Sequence, residues 1–252
     1  MALQAVIFDV DGTLVESERH GHRVAFNDAF AEHGLPYRWD QELYGELLAI
    51  TGGKERLTAY LVSQGRTPDE ARHLAVELHA AKNRRFLELV ARKALPARPG
   101  TTELLDELAR AGVRLAVATT GSRAWVEPLL DDLFGLERFE VMVAGDDVTA
   151  KKPDPSAYLM ALEQLGLGAA DVLAVEDSVT GLKAARAAGL TCVVVVNDYT
   201  RDGDYRDAVL VADSFEAPRL LRDPLGVGPL PRIDADVLIK VHDAAAQQRA
   251  RR

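Results

Sequence analysis

A chain of 252 residues that is 48% hydrophobic and 27% charged carries enough apolar surface to bury a full core, which excludes disorder as its ground state. Its formal net charge of -9 repels polyphosphate backbones, so nucleic acid is excluded as a partner and small molecules are expected instead. The single cysteine forbids an internal disulfide, no apolar run nears the roughly 18 residues of a membrane span, and the chain reads as cytoplasmic.

Leu3–Phe8 is the first of several short aliphatic runs without polar alternation, the pattern of a strand buried on both faces. From Val15 to about Pro96 no strand pattern occurs. Ala25, Phe26, Ala29 and Phe30 form one apolar helical face, and Thr67-Pro68-Asp69-Glu70 is a capping box opening a helix that runs to about Arg92. Residues 15–96 therefore read as an inserted all-helical cap domain, and Leu95-Pro96-Ala97-Arg98-Pro99-Gly100 as the return hinge.

Beyond the hinge, helices and strands alternate. A helix over Thr102–Ala111 stops at Gly112 and precedes a strand at Arg114–Ala118. Ser122 caps a helix ending at Gly135, before a strand at Val141–Ala144. Asp154-Pro155 opens a helix stopping at Gly166, before a strand at Val172–Val175. Ser178 caps a helix ending at Gly189, and strands at Cys192–Val196 and Val209–Val211 close the series. This alternation predicts an α/β fold, a Rossmann-like core of residues 1–14 and 97–252 with a mostly parallel sheet and helices on both faces. Cys192 reads as a buried, inert thiol. The tail from Pro218 is expected to fray, apart from a helix-like stretch ending Gln247-Gln248-Arg249-Ala250-Arg251-Arg252.

Chemistry concentrates at the predicted strand ends. The first strand leads into Asp9-Val10-Asp11-Gly12-Thr13, where the i, i+2 spacing lets both carboxylates share one side, although Asp-Gly is also an ordinary turn signal. Glu176-Asp177 follows the strand at Val172–Val175, where two acids could equally be a solvated helix start. Taken with Asp9 and Asp11, they make an all-oxygen donor set without a paired His or Cys, which suits Mg²⁺ and not zinc. Thr119 opens Thr119-Thr120-Gly121-Ser122, a hydroxyl and backbone N–H donors for a phosphate oxygen or a plain helix cap. Lys152 follows the third core strand and offers a fixed cation for developing phosphoryl charge, or one half of a surface lysine pair.

Asp9-Val10-Asp11-Gly12-Thr13, Thr119, Lys152-Pro153 and Glu176-Asp177-Ser178 together resemble the four ordered motifs of the haloacid dehalogenase superfamily. The resemblance covers the core and places the helical insertion where that family carries its first-type cap. It implies that Asp9 attacks phosphorus to give an aspartyl-phosphate. Asp11 is then the acid for the leaving alkoxide and the base for the hydrolytic water. Asp9, the Asp11 backbone carbonyl and Asp177, with Glu176 adjacent, are implied to hold Mg²⁺, and Thr119 and Lys152 to grip the phosphoryl oxygens.

The cap narrows the resemblance. Thr51-Gly52-Gly53-Lys54-Glu55-Arg56 is not a Walker loop, because Glu55 stands where Ser or Thr is required. With Glu16, His22-Arg23, Lys82-Asn83 and Arg98-Pro99-Gly100 it is similar to the CbbY-type branch of sugar-phosphate phosphatases, whose members remove the 1-phosphate of xylulose 1,5-bisphosphate. A bisphosphate needs a second anion site, for which Lys54, Arg56, Lys82 and Arg98 are the candidates. The expected substrate-binding set is Thr13, Glu16, His22, Gly52, Gly53, Lys54, Arg56, Lys82, Arg98, Thr120 and Gly121. His20 competes with His22, because Arg19 to Gly21 carries one residue more than the pattern. A β-phosphoglucomutase-type phosphotransferase shares core and cap, but mutases of that group often carry Val where Thr13 stands. A dehalogenase leaves Asp11 and Glu176-Asp177 without a purpose, and a non-catalytic phospho-ligand binding module leaves the intact acids unexplained. The partner expected is a small sugar phosphate, with neither membrane nor nucleic acid, on a chain expected to be a monomer.

Overall fold

A computed structural model describes residues 2–50 and 52–250, so Thr51 of the glycine loop and the final two arginines lie outside the described residues. The chain divides into two compact units, one running to Val15 and resuming at Ala97, the other spanning Glu16–Pro96. β1 (Ala5–Phe8) opens the first unit and is buried along its whole length.

Every described element within Glu16–Pro96 is helical. One π-helical turn (Glu18–His22) feeds directly into α1 (Arg23–Glu32). A π turn takes up one residue more than an α turn, which is how the extra residue between Arg19 and Gly21 is absorbed without displacing the face that follows. α2 (Gln41–Leu47) is capped by Asp40, whose carboxylate accepts the Leu43 N–H. α3 (Gly53–Ser63) starts beside Gly52, whose φ of 94° calls for glycine. α4 (Pro68–Ala91) begins with the complete Thr67/Glu70 capping box and Pro68 in its first turn. Phe26 and Phe30 of α1 supply the core: Phe26 lies 4.8 Å from the Trp39 ring, and Phe30 lies 5.0 Å from Trp39 and 6.2 Å from Tyr60.

The α/β unit continues with α5 (Thr101–Arg110), β2 (Arg114–Ala118), α6 (Arg123–Phe134), β3 (Phe139–Val143), α7 (Ser156–Leu165), β4 (Val172–Glu176), α8 (Val179–Ala187), β5 (Thr191–Val195), β6 (Leu210–Ala212), β7 (Leu220–Arg222) and α9 (Ala235–Ala250). Its seven strands lie in the order β3-β2-β1-β4-β5-β6-β7. β1 to β6 pair in parallel and β7 pairs antiparallel with β6. The strands are nearly all aliphatic because helices cover both faces, and Cys192 is buried among them as expected. β1 sits between β2 and β4, where successive connections leave in opposite directions, and such a switch point opens a crevice beyond the carboxyl ends. In register, Phe8 is level with Val117 on one side and Val175 on the other. The next residue of β1 is therefore level with the last residue of β4, which sets Asp9 beside Glu176.

The tail is not frayed. Leu238, Val241 and Ala245 recur at helical spacing and are buried on α9, while β7 covers the free edge of β6. β7 escaped the sequence reading because three residues close to Pro218 are too short a run to read as a strand.

Candidate active site

Lys152 is the centre of the arrangement at the carboxyl edge of β1 and β4. Its Nζ donates to Asp9 Oδ1 at 2.7 Å and to Glu176 Oε1 at 2.6 Å, and all three side chains are buried. Two carboxylates around one ammonium leave a net negative charge, and Asp177 adds a third acid. One oxygen each from Asp9, Glu176 and Asp177 lies within 4.8 Å of the others. Burial pushes the Asp9 carboxyl up to about 7, with Lys152 opposing the rise and Glu176 reinforcing it. Burial, then the charges of Asp9 and Glu176, also drives Asp177 well above the ordinary carboxylate range. For Lys152 burial works against the ammonium form, but the carboxylates of Asp9 and Glu176 outweigh it and hold the proton more firmly than usual.

Asp9 and Asp177, both held above the ordinary carboxylate range, and buried Glu176 form an all-oxygen cluster short of positive charge. Such a donor set fits a hard divalent cation. Asp11 lies partly exposed in the same turn, its backbone bridged to Val15. Gly12 makes the turn with φ at 86°, and a Cβ there would stand 2.6 Å from Asp177 Oδ2, so glycine is required twice over. Gly181 does the same for Glu176, since a Cβ would fall 1.9 Å from its carboxyl carbon.

Thr119 is fully buried at the end of β2, and its oxygen accepts the Gly121 N–H at 3.1 Å, leaving its hydroxyl hydrogen as a donor. Thr120 and Gly121 are partly exposed beside it. Gly145 N–H donates to the Gly121 carbonyl at 2.7 Å and fixes this loop against the end of β3.

Three of the expected substrate contacts make hydrogen bonds within the protein. Thr13 is fully buried and its hydroxyl points at Asp177 Oδ1 at 3.5 Å, so it faces the acid cluster. Arg56 spends Nε on the Leu47 carbonyl at 2.9 Å and Nη2 on that of Ile50 at 3.2 Å, which satisfies carbonyls at the end of α2. Arg98 is buried and donates to backbone carbonyls within the α/β unit.

In the helical unit, His22 Nδ1 lies 3.0 Å from Lys82 Nζ, and its ring is 4.0 Å from that of Phe86, while His20 is exposed. The Lys82 ammonium sits 5.2 Å from the Phe26 ring centroid and 5.0 Å from that of Phe86. Lys54 is exposed next to Gly53, where a Cβ would stand 2.8 Å from the His79 ring, and Glu16 is partly exposed at the start of the unit. Burial, then the charges of Lys82 and Lys54, pulls His79 down to about 4. Lys82, Lys54 and His22 thus act together against a positive charge on His79, with Glu55 opposing them.

Two residues of the acid site went unread. Asn197 Nδ2 donates to Asp177 Oδ2 at 2.7 Å, and Tyr158 donates its hydroxyl to Glu176 Oε1 at 2.7 Å. Asn197 follows the apolar run of β5 at the same sheet edge as the acids, which was the available signal. Tyr158 gave none, because an aromatic on the buried face of α7 reads as core.

Residues 3–189 match the family described as haloacid dehalogenase-like hydrolase. The chain is 46% identical to Protein CbbY of Rhodobacter capsulatus over 82% of its own length and 92% of that protein. It is 31% identical to the phosphorylated carbohydrates phosphatase of Thermotoga maritima, over 80% of this chain and 88% of that protein. The crystal structure of CbbY from Rhodobacter sphaeroides in complex with phosphate superposes with a TM-score of 0.72 at 44% identity, covering 85% of this chain and 95% of that one. A mutant of the same protein in complex with xylulose-(1,5)bisphosphate gives a TM-score of 0.72 at 43% identity with the same coverage.

Proposed function

This chain belongs to the haloacid dehalogenase-like hydrolases and is a phosphatase, and from that premise we propose that it is Mg²⁺-dependent and converts xylulose 1,5-bisphosphate to xylulose 5-phosphate. The observation that carries the reading is the shared ammonium, with Lys152 Nζ at 2.7 Å from Asp9 and 2.6 Å from Glu176 while Asp177 completes the acid cluster.

Lys152 pairs with Oδ1 of Asp9, and Oδ2 lies outside that pairing and attacks phosphorus. The P–O bond to the sugar breaks as the aspartyl-phosphate forms, and Asp11 gives its proton to the departing oxygen. Asp11 then takes a proton from water, whose oxygen attacks phosphorus and frees Asp9 as a carboxylate together with inorganic phosphate. Lys152 balances charge growing on the phosphoryl oxygens, and the Thr119 hydroxyl with the backbone N–H of Thr120 donates to them. Asp9, Asp177 and the Asp11 carbonyl, with Glu176 adjacent, would hold Mg²⁺, which would supply positive charge for an anionic nucleophile meeting an anionic phosphoryl group.

Glu16, His22, Gly52, Gly53, Lys54 and Lys82 are proposed to bind the sugar and its second phosphate. The lysines around His79 support this, because besides burial their charges pull His79 down and an anion would offset that charge. The same CbbY likeness favours hydrolysis over a phosphomutase.

The test is phosphate release from a panel of sugar phosphates including xylulose 1,5-bisphosphate, with Mg²⁺ and with a chelator, for the wild type and Asp9→Asn. Release is expected with Mg²⁺ alone, selective for the bisphosphate, and abolished in a folded Asp9→Asn protein. Absence of Mg²⁺-dependent release from every member of the panel overturns the proposal, and conversion of β-glucose 1-phosphate to glucose 6-phosphate replaces it with the mutase.

A further inference from the structure

Arg98 stands two residues after Pro96, in the segment where the chain re-enters the α/β unit. Its backbone is pinned there: the N–H donates to the Leu14 carbonyl at 2.8 Å, and the Thr101 hydroxyl donates to its carbonyl at 2.7 Å. The side chain then reaches inward. Nη1 donates to the Gly12 carbonyl at 2.8 Å and to the Val195 carbonyl at 2.7 Å, and Nη2 to the Val196 carbonyl at 2.8 Å. The guanidinium lies 5.4 Å from the centroid of the Phe215 ring and is 5% exposed.

These three acceptors belong to two segments that nothing in the sequence brings together. Gly12 is the turn that carries Asp9 and Asp11. Val195 and Val196 are the last residues before Asn197, whose Nδ2 donates to Asp177 Oδ2 at 2.7 Å and approaches the same Gly12 carbonyl at 3.4 Å. A single planar fork therefore joins the turn bearing the nucleophile to the segment that orients Asp177. Only a guanidinium presents donors in a rigid plane to several carbonyls at once, whereas a lysine ammonium at the same place is a point charge.

We propose that Arg98 is a positioning residue, whose guanidinium locks the Asp9–Thr13 turn to the end of β5 and thereby fixes the geometry of the Asp9 and Asp177 carboxylates. It contacts no part of the substrate. The inference rests on the phosphatase reading for its kinetic arm and stands without it for its binding arm. Outer residues that orient metal-binding carboxylates are commonly worth about 10–100-fold in affinity or activity.

The experiment compares wild type with Arg98→Lys, which keeps the charge and loses the fork, and with Arg98→Met, which loses both. Mg²⁺ affinity is measured by calorimetry without substrate. Steady-state kinetics follow with p-nitrophenyl phosphate, which has one phosphate, and xylulose 1,5-bisphosphate, which has two. Both variants are expected to bind Mg²⁺ about tenfold or more weakly and to lose kcat by a similar factor on both substrates, with KM within about threefold. A rise in KM confined to the bisphosphate makes Arg98 a substrate anchor and overturns the proposal. Unchanged Mg²⁺ affinity and kcat in a less stable protein reduce it to a packing residue and overturn it equally. If neither variant folds, Asn197→Ala cuts the same tie at its other end, and wild-type Mg²⁺ affinity in that variant is the refuting result. A wild type inactive on both substrates refutes the phosphatase reading alone, because the calorimetry still decides the role of Arg98.

Discussion

Replacing Lys152 with methionine removes the one ammonium shared by Asp9 and Glu176 while keeping most of its volume. At 2.7 Å and an effective dielectric near 20, each contact carries about 6 kcal/mol of Coulomb attraction, most of it offset by desolvation. Breaking a buried pair by deleting one partner costs about 3–5 kcal/mol net, because the remaining charge stays buried. The pH dependence follows from Asp9, whose folded value of about 7 lies above the ordinary 3.8. Such a group stabilises the fold fully below its unfolded value, and that contribution is lost as pH rises through the folded one. Without Lys152 the folded value climbs further. Below pH 7 Asp9 is protonated in both proteins, so the stability gap is flat at about 3–5 kcal/mol. Above it the wild type has shed the proton and the variant has not, so the gap widens by about 1.4 kcal/mol per pH unit. Urea denaturation in chelator at pH 6 and pH 8.5 is expected to show a gap about 2 kcal/mol larger at the higher pH. Phosphate release by the variant is expected to fall by about two to three orders of magnitude. A gap that stays flat or narrows between the two pH values refutes the shared-ammonium account.

His79 tests the helical unit independently: its folded value of about 4 lies below the unfolded 6.5, so the unfolded chain binds more protons and stability falls as pH drops through that window. Discounted for partial exposure, the loss is about 1 kcal/mol between pH 7 and pH 5, and His79→Gln is expected to flatten it in urea denaturation. Gly181→Ala places a methyl 1.9 Å from the Glu176 carboxyl carbon, which must move; a loss of about 1–3 kcal/mol by thermal unfolding and a drop in kcat are expected. Because Asp9 holds a proton up to about pH 7 and gives it up to bind a cation, Mg²⁺ affinity is expected to rise up to about tenfold from pH 6 to pH 7. Calorimetric heats that vary with the ionisation enthalpy of the buffer would report that proton.

The inner strands were legible because β1, β4 and β5 are buried along their whole length and are aliphatic over most of it. Gly112, Gly135, Gly166 and Gly189 follow their helices as stop signals, and each has positive φ. The acid cluster was legible for a related reason, since residues leaving the strands of a parallel sheet gather at one edge: Asp9, Thr119 and Glu176 stand just past predicted strands, and Lys152 lies in the loop that follows another. What the pattern did not reveal was where individual side-chain donors end. Thr13, Arg56 and Arg98 sit beside site residues in sequence, but their donors end on a carboxylate or on backbone carbonyls. Backbone carbonyls exist at every position and leave no trace in a residue pattern. A guanidinium that binds phosphate and one that staples two loops therefore look alike until the fold is known.

The charges so placed explain why the α/β unit is incomplete by itself. Asp9, Glu176 and Asp177 contribute three negative charges when ionised, and the buried cations Lys152 and Arg98 contribute two positive ones. The two cations are not interchangeable. Lys152 lies on the carboxylates and can follow charge onto a phosphoryl group, whereas Arg98 is committed to carbonyls and holds its neighbours still. The remaining negative charge must be met from outside, and a proton on Asp9 meets it only by disabling the carboxylate that the proposed mechanism uses as nucleophile. A divalent cation meets it with all three acids ionised. The raised values of Asp9 and Asp177 come first from burial and then from the neighbouring acids, so both carboxylates are held short of positive charge. A mutation that satisfied this charge internally, by bringing another lysine into the cluster, is expected to stabilise the fold and weaken Mg²⁺ binding together, and stabilisation with unchanged Mg²⁺ affinity in calorimetry would refute the link between the two.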